Sequence, residues 1–129
     1  MIEKIKQRRR TANDHYVERY LSTSLGLQAD EVDAFLATHN RHYNTPLSVK
    51  QDLEPVVMFM RSTGVSGEQV ATLATKAPLI FRKRVDELFL MFEWASTRLG
   101  SEDKARLLLL RRPEAFVVDG LDAFREALG

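Results

Sequence analysis

At 129 residues, with 44% hydrophobic and 29% charged residues, a net charge of +1 and no cysteine, the chain reads as a single globular domain. That composition excludes a disordered polymer, disulfide staples, thiolate metal sites and cysteine nucleophiles, and it fits a reducing compartment. No apolar run approaches the roughly 18 residues of a membrane span, so the chain reads as soluble, with no membrane partner.

Residues 1–12 form a basic tail, because Lys4, Lys6, Arg8, Arg9 and Arg10 face only Glu3 in the first ten positions. Such a tail either touches nucleic acid, with Arg8, Arg9 and Arg10 as the contacts, or is simply solvated. No apolar core follows the charges, which excludes a signal peptide and leaves an organellar transit peptide only as a segment already removed. The helical domain then occupies residues 13–129. Hydrophobic spacing, caps and breakers predict helices over about 13–25, 29–38, 53–62, 67–76, 86–99 and 102–111, and a last one from about 121. A short turn is expected at 48–51, with Pro55 in a first helical turn. Leu88, Phe92, Ala95 and Leu99 fall at offsets of four, seven and eleven, a single helical stripe expected to be buried.

The punctuation between these helices recurs. Gly26, Gly64 and Gly100 are separated by 38 and then 36 residues, a period typical of helical arrays. Gly64 and Gly100 sit where a left-handed residue ends a helix. Ser66 with Gln69 makes a capping box, and Ser101 repeats the cap without the reciprocal partner. Pro78 and Pro113 disfavour helical geometry at Ala77 and Arg112 and so stop the helices before them. The first copy is the most degenerate, with Asn40 near the expected proline. Strand signals are almost absent. The expected class is all-α, an α-solenoid, right-handed or otherwise curved, of about three helix-turn-helix repeats.

Two stretches, "LEPVVMFMRSTGVSGEQVATLATKAPLIF" and "LFLMFEWASTRLGSEDKARLLLLRRPEAF", share one order of features: an apolar helix, glycine, serine, a second helix, a basic residue and a proline. In that order the sequence resembles the mitochondrial transcription termination factor (mTERF) family, over roughly Tyr20 to Leu128. The resemblance implies repeats of two helices and a 3₁₀ turn. It also implies nucleic-acid binding through a basic concave face, RNA ahead of DNA, in the mitochondrion or alternatively the chloroplast. It further implies a place in organellar gene expression or as a component or assembly factor of the organellar ribosome, with rRNA as ligand. Three repeats are fewer than the family's long superhelix, which speaks against site-specific termination on a duplex.

No catalytic fingerprint appears, whether a G-x-S-x-G elbow, a phosphate loop or a dinucleotide motif, so the chain is expected to be no enzyme and to need no cofactor. His39 and His42 give a metal-like spacing in a stretch that reads as loop; with no completing ligand, no metal site is expected. The candidate nucleic-acid contacts are Lys76, Arg111 and Arg112 beside the repeat prolines, Arg82, Lys83 and Arg84 in the following connection, and Arg41 with His42 in the corresponding region of the first copy. The bland reading of the helix-end cations is that they complement the helix dipole. Phe92 is expected in the core, while Trp94, two positions off the stripe, is divided between core and partner-facing surface. Leu121, Phe124 and Leu128 read as half of an unfinished repeat, an apolar end open to a protein partner. The alternative function is therefore a structural protein-interaction module within a larger organellar complex.

Overall fold

A computed structural model describes residues 11–129, and Arg8, Arg9 and Arg10 lie outside the described residues. Among the described residues the chain is all-helical, with seven α-helices joined by short π and 3₁₀ turns and no strand. No helix is long and apolar enough to cross a membrane.

Helix α1, Ala12–Arg19, starts at a capping box. The Thr11 hydroxyl accepts from the Asp14 amide at 3.1 Å, and the Asp14 carboxylate accepts from the Thr11 amide at 2.8 Å. It runs into a π-helical turn, Tyr20–Ser24. Helix α2, Ala29–His42, extends past the predicted end at residue 38. Two physical reasons account for the extension. Asn40 stands where later connections carry proline, so nothing forbids helical geometry. His39 also continues the buried stripe of Val32 and Phe35, at only 3% exposure, a role that a count of apolar residues does not register.

A second π turn, Val49–Leu53, is capped by Ser48 and leads directly into α3, Glu54–Ser62, with Pro55 in its first turn. From there two segments follow the same local course. Helices α3 and α5 (Val85–Leu99) end at Gly64 (φ +98°) and Gly100 (φ +97°), backbone values that strain any L side chain. Helices α4 (Gly67–Lys76) and α6 (Glu102–Arg111) begin under Ser66 and Ser101, whose hydroxyls accept from the amides three residues on, both at 3.2 Å. Both helices stop before proline, with Ala77 and Arg112 in nearly the same non-helical conformation. 3₁₀ turns follow at Pro78–Arg82 and Pro113–Phe116. Helix α7, Gly120–Leu128, closes the described chain.

The core runs continuously from Val17 to Phe124. Phe81 and Phe116, each three residues after a connection proline, are fully buried. Phe81 meets Phe35 edge-on at 5.9 Å, and Phe116 meets Phe124 at 4.7 Å. Each such side chain contributes on the order of 1.5–3 kcal/mol by leaving water. Two expectations are corrected. Leu99 is 39% exposed, because at the last residue of α5 it lies at the surface beside Gly100, whereas Met91 joins Leu88, Phe92 and Ala95 in the buried stripe. Phe124 is not an open apolar end: it is fully buried between Phe116 and Trp94, with Leu121 and Leu128 partly buried beside it.

Candidate nucleic-acid interface

The cations singled out in the sequence divide into two groups once the chain is folded. The first group faces inward along the stacked connections, where the Val49–Leu53, Pro78–Arg82 and Pro113–Phe116 turns pack on one another. Arg82 reaches back about one period. Its guanidinium donates to Asp52 at 2.8 Å, to the Pro46 carbonyl at 3.4 Å and to the Thr45 hydroxyl, and it lies over the Tyr43 ring at 4.6 Å. Lys83 reaches forward by nearly the same separation. Its ammonium lies 2.6 Å from Glu87, donates to the Val118 carbonyl at 2.9 Å and sits 3.5 Å from Asp119. Their side chains are only 12% and 9% exposed. The edge expected to present these two cations to a ligand instead consumes them as links between successive connections. The partly buried Asp52 and Glu87 carboxylates and Val118 carbonyl need donors, and two long cationic side chains supply them.

The second group remains outward. Arg41 and His42 occupy the last turn of α2, Lys76 the last turn of α4, Arg111 the last turn of α6, and Arg112 its carboxyl cap; all five are exposed. Arg41 and His42 both bond to Thr38, the first to its hydroxyl at 3.4 Å and the second to its carbonyl at 3.0 Å. Thr38 in turn lines a groove of about 390 Å³ between α2 and α4 that Lys76 also borders. Lys76 alone of these cations borders the groove, whose walls also carry Asp30 and Glu31, while Arg41 and His42 lie beyond its lining. The Arg112 cap opens the Pro113–Phe116 turn, which packs on α4. Arg112 lies 3.7 Å from Glu114, and Arg84 lies 3.1 Å from Asp86; both are exposed pairs of little energetic weight.

His39 and His42 diverge. His39 is buried, stacked on Tyr43 at 5.4 Å, with Nδ1 2.9 Å from the Asn40 amide oxygen. His42 is at the surface. Among the described residues no three His, Asp or Glu side chains gather as metal ligands.

Compared with family models, with curated proteins and with solved structures, the chain matches none.

Residues that sequence reasoning passed over include Asp52 and Tyr43, the acceptor and the ring that hold Arg82, and Arg106, which donates to the Thr63 carbonyl at 3.1 Å. Their partners lie 30 to 43 residues away, beyond the reach of any local pattern. Trp94 was legible as ambiguous. It is half-buried on Phe124 at 5.9 Å, with the guanidiniums of Arg98 and Arg125 over its ring.

Proposed function

We propose that the chain is a non-catalytic helical-repeat protein that binds nucleic acid, with RNA favoured over DNA, through the outward cations at the carboxyl ends of α2, α4 and α6. The observation that carries the reading is the recurrence of Arg41 and His42, Lys76, and Arg111 with Arg112 at corresponding helix ends, all exposed. A dipole effect accounts for one charge per helix end. It does not account for the doubled charge of Arg111 with Arg112 at the end of α6. Phosphates suit such a stripe because their neutralisation releases counterions. The order of glycine, serine cap and proline, with its resemblance to mTERF proteins, supports a solenoid of about three repeats. It also supports an organellar setting, mitochondrial or alternatively chloroplast, with ribosomal RNA as the ligand class. The test is equilibrium binding of a single-stranded and a hairpin RNA across a salt series. The reading expects affinity to fall linearly on logarithmic axes. Salt-independent binding, or none at low salt, would overturn it.

A further inference from the structure

A second surface, apart from the helix-end stripe, lies where α5 meets α7. Leu90, Trp94 and Arg98 succeed one another at intervals of one helical turn on α5, so they share one face. Leu90 is 51% exposed, and its neighbour Phe89 is 52% exposed. From α7, Arg125 reaches the same indole. The Arg98 and Arg125 guanidinium carbons lie 6.0 and 5.7 Å from the Trp94 ring centroid. Neither guanidinium has a carboxylate at ion-pair distance or a hydrogen-bond acceptor among the described residues, in contrast to Arg82, Arg106 and Lys83.

Two like charges are thus held around one ring with their donors unspent. An exposed cation–π contact is worth only about 0.5–1 kcal/mol, which leaves each guanidinium's fork available to a carboxylate or phosphate. The surroundings decide between those anions. Leu90 extends the site as bare aliphatic surface, which a phosphate backbone does not cover, and the indole is already occupied by the arginines rather than open to a base. A partner that supplies carboxylates and apolar side chains together satisfies both halves, and tryptophan and arginine are both among the residues enriched where binding energy concentrates in protein interfaces.

We propose that Leu90, Trp94, Arg98 and Arg125 form a docking site for an acidic amphipathic segment of a protein partner. The site is independent of the nucleic-acid surface and stands whether or not that surface binds RNA.

Trp94 is the chain's one tryptophan, so its emission reports on this site alone. The probe is a displayed library of random 16-residue peptides selected on the full chain, with the double variant Arg98→Glu/Arg125→Glu as counter-target. The expected result is enrichment of sequences combining Asp or Glu with Leu or Phe at helical spacing. A synthetic peptide from that set should shift Trp94 emission saturably, and the double variant should weaken it about tenfold or more while keeping the parent's circular dichroism. Arg98→Gln/Arg125→Gln serves as the milder variant if the reversal perturbs folding. Selected peptides without acidic bias, an affinity unchanged in both variants, or displacement of the peptide by oligouridylate with quenching of Trp94 would each overturn the proposal; the last would assign the surface to nucleic acid.

Discussion

The guanidinium of Arg106 lies against Gly64, so close that a Cβ at that glycine would sit 2.9 Å from Nη1. The same Nη1 donates to the Thr63 carbonyl at 3.1 Å, and Nη2 pairs with Asp103 at 2.9 Å. One side chain of α6 thus closes the turn that ends α3. Gly100 has an almost identical φ but no atom near its missing Cβ. Gly64→Ala and Gly100→Ala should each cost about 1–2 kcal/mol for the left-handed backbone. Gly64→Ala should cost more, because Arg106 must give up its carbonyl. In an Arg106→Ala background the difference between the two glycine variants should vanish, as urea midpoints around the double-mutant cycle would register. A difference that persists there would show that Arg106 does not mediate it.

What was legible in the sequence was whatever local chemistry dictates within one turn. Gly64 and Gly100, the Ser66 and Ser101 caps, and the stops before Pro78 and Pro113 all depend on neighbours three or four residues away. The extension of α2 to His42 was not legible, because it depends on His39 finding a buried place against residues distant in sequence. The same reason separates the cations. Arg82, Lys83 and Arg84 are consecutive and alike in composition, yet the first two are internal links and the third is at the surface, since only the fold places Asp52 and Val118 within reach.

Arg82 is therefore expected to matter for stability first. Arg82→Ala leaves the partly buried Asp52 carboxylate without its cation and strips the Tyr43 ring, for a loss of about 2–4 kcal/mol. Arg84→Ala, at a side chain 81% exposed, should stay within about 0.5 kcal/mol of the parent. Equal thermal midpoints for the two variants would contradict the division between inward and outward cations.

The α5 stripe makes a similar contrast within two adjacent positions. Phe92 is 5% exposed and meets Phe59 edge-on at 6.0 Å, whereas Glu93 is exposed. Phe92→Ala should destabilise by about 3–5 kcal/mol through lost transfer energy and the cavity left behind. Glu93→Ala should be close to neutral. Denaturant titrations that rank them the other way would place the buried face of α5 elsewhere.

Tyr20 carries the alkaline limit. Burial, and secondarily the nearby Glu54 carboxylate, raise its phenol above the ordinary value of 10.0. A raised acid binds its proton more tightly in the folded state, so its contribution is complete below the unfolded value and is lost as pH climbs from there through the folded one. Stability measured from pH 9 upward should fall less steeply in Tyr20→Phe than in the parent. Parallel curves would mean that Tyr20 ionises alike in both states.

The outward cations give the sharpest test of the nucleic-acid reading. Lys83 is a poor choice for charge reversal, since a carboxylate there would face Glu87, Asp119 and the Val118 carbonyl, and loss of binding would then follow from loss of fold. Arg41, Lys76, Arg111 and Arg112 are exposed, and their reversal replaces a favourable charge at each helix end by an unfavourable one, each worth about 0.3–1 kcal/mol, and gives up only the exposed Arg112–Glu114 pair and the long Arg41–Thr38 bond. The quadruple variant Arg41→Glu/Lys76→Glu/Arg111→Glu/Arg112→Glu should keep its helical signal but lose RNA affinity most strongly at low salt. For a single-stranded RNA, the slope of log affinity against log salt should shrink by about 0.7 for each phosphate contact removed. Arg84→Glu, which reverses an exposed cation outside the helix-end set, should leave the slope nearly unchanged. A quadruple variant that binds RNA like the parent at every salt concentration would remove these helix ends from the interface and leave the protein-interaction reading in their place.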